Sequence, residues 1–355
     1  MMNHTVMNFS DTIRNTGEKL VLTFDNTQLS HLKSEEYQGS EGHQTAINCT
    51  RKNGPVQLIA QGCEIDRYIQ ASLSDNTRRA YQSDLAHFIA WGGTIPATPE
   101  TICQYLVDQV GVLSPATLNR RVISIGRAHT SQSLETPTKS DLVKATLRGI
   151  RRTVGTSQRQ VAPAVKELLM AMVDKLDGVK GVRDRALLLV GFAGAFRRSE
   201  LVALDFMDIE FAEQGLVVNI VRSKTDQEGQ GRKVAIPFAR GATCPVKSLK
   251  AWLAISGISV GPIFRPVTRH GRIIPVALST QAVAEIVKQR VRAIGLDHTK
   301  YSGHSLRAGL VTSAAQVGVS SWKIRQQTGH KSDAMLQRYI RDSQIFIDNA
   351  VGAIL

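Results

Sequence analysis

The apolar residues of this chain change their spacing near residue 155, and this change limits what the chain can fold into. Between residues 56 and 155 they recur at helix spacing, as in Tyr81, Leu85 and Phe88, which fall on one face of an α-helix. After residue 160, β-branched runs at residues 216–221 and 233–237 join the helical pattern, as expected for short strands. The sequence therefore predicts a helical domain followed by one that is mainly α with a small β-sheet, an α+β chain overall.

The predicted domain boundaries follow from composition. Residues 1–55 are polar and lack sustained periodicity, so we interpret them as a flexible extension. Residues 56–155 form the helical domain, residues 156–160 an exposed linker, and residues 161–355 the second domain. The last stretch, 344–355, carries an apolar helix face that either folds back on its own domain or docks on a second copy.

Hydroxyl and acidic residues mark the predicted helix starts of the first domain. They are Ser74 or Asn76, Thr98-Pro99, Ser114-Pro115 and Ser140-Asp141. Such side chains accept hydrogen bonds from the first backbone N–H groups of a helix, and proline suits its first position. In the second domain the pattern predicts helices over residues 165–176 and 182–192 and again from residue 279 onward.

The charge balance favours a polyanionic partner. Lys and Arg number 44 against 30 Asp and Glu, a net charge of +14, which suits nucleic acid or an anionic membrane surface. The sequence has no apolar run long enough to span a membrane and no apolar segment near Met1 typical of a signal peptide. The cysteines are scattered, which does not suit a disulfide framework or a zinc site. They are Cys49, Cys63, Cys103 and Cys244. We therefore expect a cytoplasmic protein that binds nucleic acid and has no membrane partner.

Basic residues cluster on two consecutive predicted helices of the first domain. The first helix carries Arg120, Arg121 and Arg127, and the second carries Lys144, Arg148, Arg151 and Arg152. A charged face is often only solvated. Because hardly any acid lies between these positions, contact with DNA phosphates is the preferred interpretation.

Several polar residues of the second domain are candidates for chemistry, and each has an ordinary structural explanation when taken alone. Arg197 and Glu200 could be a buried ion pair, and Lys224 a solvated residue at a strand end. His304 and Arg307 lie one helical turn apart, so both can face one anion. Gly329-His330 could be a helix C-cap and Tyr339 a core residue. The candidates are Arg197, Glu200, Lys224, His304, Arg307, His330 and Tyr339.

Taken together, these residues resemble the tyrosine recombinase (phage integrase) family in order and spacing. The matching motifs are Arg197-x-Ser199-Glu200-Leu201, Lys224, Gly303-His304-Ser305-Leu306-Arg307, Thr328-Gly329-His330 and Tyr339. The resemblance covers residues 56–355, and Gly303-His304-Ser305 and Tyr339-Ile340-Arg341 look most like the Cre-type branch. One departure is Arg198, where the family usually has a small apolar residue, so Arg198 could share the role of Arg197.

The resemblance implies a two-domain clamp around duplex DNA and a residue-by-residue assignment of roles. Tyr339 would attack a phosphodiester and form a 3′-phosphotyrosine, and Lys224 would protonate the leaving 5′ oxygen. Arg197, Arg307 and His330 would hold the phosphate, and His304 would accept a proton. Glu200 would orient Arg197. Guanidinium groups suit this role because they bind phosphate oxygens in pairs and stay charged at any working pH.

No cofactor or metal is expected, because such a transesterification conserves the energy of the phosphodiester bond. The sequence contains no Gly-x-x-x-x-Gly-Lys-[Ser/Thr] loop. His298, His304 and His330 lack the spacing of a metal site.

The family likeness also implies how the protein assembles. Two copies would bind an inverted-repeat site, and two sites would form a homotetramer with a Holliday junction intermediate; accessory proteins are an open possibility. The alternatives are a type IB topoisomerase-like enzyme and a non-catalytic DNA-binding regulator on the same fold. A metal-dependent nuclease is disfavoured because no carboxylate cluster has ligand spacing.

Overall fold

The computed structural model describes residues 67–69, 71–157, 160–221, 231–330, 332, 333 and 336. It divides into two compact units between Gln158 and Arg159, which are described separately. The described residues are mainly helical with one three-stranded sheet, which confirms the predicted fold class. Four predictions lie outside the described residues: the extension 1–55, the helix over residues 344–355, and the roles of Lys224 and Tyr339.

The first unit contains a helical array whose starts were predicted from the sequence. Its helices are α1 (Asp75–Trp91), α2 (Pro99–Asp108), α3 (Pro115–Ser131) and α4 (Asp141–Val154), with a short 3-10 turn at Pro137–Lys139. The side chains of Ser74, Thr98, Ser114 and Ser140 each accept a hydrogen bond from the backbone N–H three residues later. The predicted N-caps are thereby confirmed, and for α1 the cap is Ser74 rather than Asn76.

The core of the first unit forms where α1 packs on α3 and α2 packs on α4. Phe88, Tyr105 and Ile125 are fully buried there. The ring centroid of Tyr105 lies 5.1 Å from that of Phe88 and 5.2 Å from that of Trp91. The helix-spaced apolar residues of the sequence therefore form the contact between helices.

A buried carboxylate lies in the contact between α1 and α3. Asp84 accepts hydrogen bonds from Arg120 Nε at 2.7 Å and Nη2 at 2.8 Å, and from Ser124 Oγ at 3.1 Å. Arg121 is buried beside it and donates from Nη1 to the Tyr105 hydroxyl at 2.6 Å. Arg121 is therefore engaged inside the contact between the helices, and its predicted phosphate contact stays a prediction.

The second unit combines helices with an antiparallel sheet. The helices are α5 (Lys166–Val173), α6 (Gly178–Ala193), α7 (Arg198–Ala203), α8 (Pro245–Ser256), α9 (Thr280–Ala293), α10 (His304–Gln316) and α11 (Ser321–Thr328). The strands are β1 (Ile209–Ala212), β2 (Gly215–Ile220) and β3 (Arg232–Pro237), in that order across the sheet. Strands β2 and β3 pair antiparallel, with Ile220 opposite Arg232, which confirms the predicted hairpin pairing.

Three helices or strands of this unit were not predicted, namely α7, β1 and α8. Strand β1 has only four residues, too few for an alternating pattern to stand out. Helix α8 begins with Pro245 at its first position, and its C-cap is Gly257, whose φ is +63°. Both are helix boundary signals, so α8 could have been found from the sequence.

Close packing holds α10 in place at its middle. A Cβ added at Gly309 would lie 1.9 Å from the carbonyl oxygen of Ala164, so only glycine allows this approach. The backbone N–H of Ala164 also donates to the Ser305 carbonyl oxygen at 2.9 Å. These contacts fix the helix that carries His304 and Arg307. In the part of the chain that the structure describes, no helix is long and apolar enough to cross a membrane.

Replacing Asp84 with alanine is expected to destabilise the first unit strongly. The change leaves the buried Arg121 without its neighbouring carboxylate, and breaking a buried ion pair costs about 3–5 kcal/mol. Urea unfolding monitored by circular dichroism measures the change. The control is Asp75→Ala on the same helix, where the pair with Arg78 is exposed at 3.4 Å and its loss should cost less than about 1 kcal/mol. An equal decrease in the free energy of unfolding in the two variants would show that the buried pair stabilises the unit no more than the exposed pair does.

Candidate active site

The first part of the site is a buried carboxylate at the start of α7. Glu200 is only 4% exposed and accepts from the backbone N–H of Arg197 at 3.0 Å. It also accepts from Arg197 Nη1 at 2.5 Å and from Arg232 Nη2 at 3.4 Å. One carboxylate therefore orients two guanidinium groups, and the predicted orienting contact from Glu200 to Arg197 is present.

Arg232 was not among the sequence candidates. It opens β3, where Val234 and Ile236 are buried and Lys233 and Ala235 are exposed. Because side chains alternate along a strand, Arg232 shares the buried face with Val234 and Ile236. The alternation was the signal that could have found it.

The second part of the site is the buried Arg307 on α10. It is 2% exposed, and its Nη1 donates to the carbonyl oxygens of Ala195 at 2.8 Å and Thr328 at 2.7 Å. Ala195 has a φ of +47°, a left-handed conformation that is uncommon for residues with a side chain. This conformation occurs two residues before Arg197, so the turn that presents Arg197 also supplies an acceptor for Arg307.

His330 contacts Arg307 through one ring nitrogen and Thr328 through the other. Its Nε2 lies 3.0 Å from Arg307 Nη2, and its Nδ1 lies 2.7 Å from Thr328 Oγ1. Thr328 Oγ1 donates to the Ile324 carbonyl oxygen at 2.7 Å, so it accepts from His330 Nδ1–H, and Nε2 accepts from Arg307. We assign this tautomer from the hydrogen-bond network.

The charge state of His330 agrees with this assignment. Burial, followed by the positive charges of Arg307, Arg197 and other nearby groups, lowers the pKa of His330 to about 3. The ring is therefore neutral near pH 7. In this state Nε2 accepts and does not donate, so the predicted hydrogen bond from His330 to a phosphate requires a proton that a bound anion would favour.

His304 lies in the same electrostatic environment. Its pKa is lowered, first by desolvation and then by Arg307, Arg197 and Arg198. The residue lies at the start of α10 and keeps an exposed surface. His304 is therefore neutral near pH 7 and available to accept a proton.

The structure distinguishes Arg197 from Arg198. Arg197 is joined to the buried Glu200, whereas Arg198 is exposed and its side-chain carbons lie against Gly303. A Cβ added at Gly303 would lie 2.4 Å from Arg198 Cγ and Cδ. Arg198 therefore lies beside Gly303 and acts on His304 through its charge, whereas Arg197 is the arginine that pairs with Glu200.

Most of the predicted site residues of the second unit therefore come together. Glu200 is the one carboxylate of this cluster and contacts two of its three guanidinium groups; because both imidazoles are neutral, the cluster carries a net positive charge. Its members are Arg197, Arg232, Arg307, His304, His330 and Glu200. Lys224 and Tyr339 lie outside the described residues, so their predicted places stay predictions. Among the described residues, no group of three His, Cys, Asp or Glu is placed to hold a metal ion.

The remaining predicted DNA contacts lie on the first unit. Arg120 is half exposed, although Asp84 engages two of its nitrogens. The guanidinium of Arg127 lies 5.4 Å from the ring centre of Tyr81, and Arg151 Nη2 donates to Asn119 Oδ1 at 2.6 Å. The exposed cations of this set are Arg120, Arg127, Lys144, Arg148, Arg151 and Arg152.

Comparison with known proteins gives consistent likenesses. Residues 159–344 match the sequence model of the phage integrase family. An integrase/recombinase xerD homolog from Selenomonas ruminantium is 43% identical over 297 residues, which are 81% of this chain and 87% of that protein.

Solved structures share the fold at lower identity. A lambda integrase tetramer bound to a Holliday junction has a TM-score of 0.58 and 19% identity, covering 81% of this chain and 79% of that chain. The XerH site-specific recombinase bound to palindromic difH substrate has a TM-score of 0.57 and 18% identity, covering 78% of each chain. The closer likeness to the Cre-type branch stays a prediction.

The stability of the second unit should fall with acid in a way that depends on His330. Its pKa is about 3 in the folded protein against 6.5 for the ordinary group, so below pH 6.5 the unfolded chain binds a proton that the folded chain does not. The loss is at most about 1.4 kcal/mol per pH unit, and less because the ring keeps solvent contact.

Melting temperatures between pH 7 and pH 4 measure this effect. His330→Gln should lose less stability with acid than the parent protein, whereas His270→Gln, in an exposed turn, should follow the parent. Parallel curves for His330→Gln and the parent would contradict a lowered pKa of the half-buried His330.

Proposed function

Because this chain belongs to the phage integrase family of tyrosine recombinases, we propose that it cleaves and rejoins DNA at specific sites through Tyr339. The observation that carries the assignment of residues is the basic cluster around Glu200 and Arg307. Glu200 pairs with Arg197 and Arg232, and Arg307 contacts His330, an arrangement that suits a single phosphodiester group.

Arg197 and Arg307 act on the phosphate. Attack by a fifth oxygen increases the negative charge on the non-bridging oxygens, and guanidinium groups already fixed in place stabilise this charge without reorganisation. Glu200 fixes Arg197, and the carbonyl oxygens of Ala195 and Thr328 fix Arg307. The guanidinium groups of Arg197 and Arg307 are therefore already oriented when the transition state forms.

The proton transfers use the remaining residues. The Tyr339 hydroxyl has an ordinary pKa near 10, so its attack requires a proton acceptor, and neutral His304 serves as one. The bond from phosphorus to the tyrosine oxygen forms as the bond to the 5′ oxygen breaks, and Lys224 donates the proton to that leaving oxygen. The 3′-phosphotyrosine is later attacked by a 5′ hydroxyl, which restores the phosphodiester and frees Tyr339. Neutral His330 accepts from Arg307; once protonated, its Nε2–H donates to the phosphate instead.

The partner is double-stranded DNA, with the helical unit and the catalytic unit forming a clamp around it. Exposed cations of the helical unit contact phosphates, which fixes register without reading sequence. Two copies would bind one inverted-repeat site and four would exchange strands through a Holliday junction, as supported by the lambda integrase tetramer of similar fold. Accessory proteins are compatible with this scheme, and so is a location in the cytoplasm. No cofactor is required.

The competing functions differ in one measurable step. A type IB topoisomerase-like enzyme would rejoin the same strand without site choice, and a non-catalytic regulator would bind DNA without cleaving it. The family relationship favours neither, because the 43% identical relative is an integrase/recombinase homolog.

The decisive experiment traps the covalent intermediate. The protein is incubated with nicked duplexes drawn from DNA flanking its gene. Cleavage next to the nick releases a short strand with a free 5′ hydroxyl, which diffuses away and prevents rejoining. The products are then separated on a denaturing gel. We expect a protein–DNA adduct with the parent protein and none with Tyr339→Phe, which lacks the nucleophile. Arg307→Lys should lower the rate of adduct formation about 100-fold to 1000-fold, as for loss of one group that stabilises developing charge.

Binding without any adduct on a bound site would contradict the catalytic proposal and favour the regulator. An adduct with Tyr339→Phe would assign the nucleophile to another residue. Adducts on every duplex, irrespective of sequence, would favour the topoisomerase-like alternative.

Salt dependence tests the phosphate contacts of the helical unit. DNA affinity should fall by about 10³-fold to 10⁵-fold between roughly 50 and 200 mM salt if the protein makes several phosphate contacts. Arg148→Ala should weaken binding to all sequences alike and reduce the slope against the logarithm of salt by about 1. The control Lys139→Ala removes an exposed charge outside the predicted set and should leave the slope unchanged. Equal slopes in both variants would remove Arg148 from the interface.

A further inference from the structure

Arg232 occupies a costly position for a charged residue. Its side chain is 20% exposed, and its Nε is buried and has no hydrogen-bond partner among the described residues. Burial lowers the pKa of Arg232, as does the charge of Arg197, against the opposing effect of Glu200. A neutral side chain of similar size would avoid this desolvation, so the fold alone gives no reason for an arginine here.

The two ends of the guanidinium reach different parts of the site. Nη2 contacts Glu200, which also binds Arg197. Nη1 donates at 2.9 Å to the carbonyl oxygen of Gln327, next to Thr328, which binds both Arg307 and His330. A single side chain thus joins the start of α7 to the end of α11.

The end of α11 is shaped around Arg232. Gly329 has a φ of +68°, and a Cβ added there would lie 2.9 Å from Arg232 Nε. The side-chain amide of Gln327 donates to the carbonyl oxygens of Ala193 at 2.8 Å and Ala235 at 3.1 Å. The turn that presents His330 is therefore held against both β3 and α6, with Arg232 between them.

We propose that Arg232 is a positioning residue that holds Arg197, through Glu200, and His330, through the end of α11, in the one arrangement that binds the reacting phosphate. This inference rests on the proposed function. It assigns Arg232 no contact with DNA. Lysine cannot replace it, because a single ammonium group does not reach both Glu200 and the Gln327 carbonyl with the fixed geometry of a guanidinium.

The first test measures adduct formation and DNA binding separately. Arg232→Met and Arg232→Lys should slow single-turnover adduct formation at saturating DNA on the order of 100-fold, as for a misplaced catalytic group. Their affinity for the site should change less than about 3-fold, because phosphate contacts elsewhere dominate binding. The control Lys233→Met removes a charge from the exposed face of the same strand and should react at the parent rate. A parent rate in Arg232→Met, where the parent forms the adduct, would overturn the inference.

A double-mutant cycle tests the route through Glu200. If Arg232 acts in part through this carboxylate, the combined Arg232→Met and Glu200→Gln protein should lose clearly less rate than the product of the two single losses, with the remaining loss due to the contact with Gln327. Multiplied losses would overturn that route.

A titration that needs no catalysis separates this inference from the proposed function. Removing the charge of Arg232 should raise the pKa of His330 in nuclear magnetic resonance spectra of histidine-labelled protein, with Lys233→Met matching the parent. An unchanged His330 pKa in Arg232→Met would overturn the placement of Arg232 at the site. A parent protein that forms no adduct but shows the expected titration would count against the proposed chemistry and leave the positioning role standing.

Discussion

The site depends on one buried carboxylate. Glu200 holds Arg197 by both its backbone and its guanidinium, and it also binds Arg232. Without an anion these guanidinium groups repel one another and the nearby Arg307, and Glu200 offsets only part of that repulsion. A phosphate group would supply the missing negative charge, so the arrangement that costs stability in the free protein favours binding of the substrate.

The same physical contact has a different consequence in the helical unit. There Asp84 also pairs with two arginines, Arg120 and Arg121, but the second is buried against Tyr105. This carboxylate neutralises charge inside a helix contact, and it leaves only one of the two partners partly open to solvent. The cluster around Asp84 therefore lies within a contact between helices, whereas the cluster around Glu200 is the one that we propose binds a phosphate.

Much of the local structure could be predicted from the sequence because it is decided by neighbours along the chain. The N-caps Ser74, Thr98, Ser114 and Ser140 bind backbone groups three residues away, and the β2–β3 pairing follows two short β-branched runs. The family likeness of the motifs was likewise readable, and the match over residues 159–344 bears it out. Strand β1 was missed because its four residues are too few to show an alternating pattern. The burial of Arg121 was missed because it depends on Tyr105 and Asp84, which are distant in sequence.

For the site, the sequence by itself determined which chemical groups are present and in what order, because the spacing of the motifs can be read directly along the chain. It supplied Arg197, Glu200, His304, Arg307 and His330. The tertiary structure alone decided which of their atoms are engaged: that His330 accepts from Arg307, that Ala195 turns its carbonyl toward Arg307, and that Arg232 joins them. These facts rest on contacts between residues such as Arg232 and Gln327, which lie 95 positions apart. Such contacts exist only once the helices and the sheet have packed, so no local pattern of residues records them.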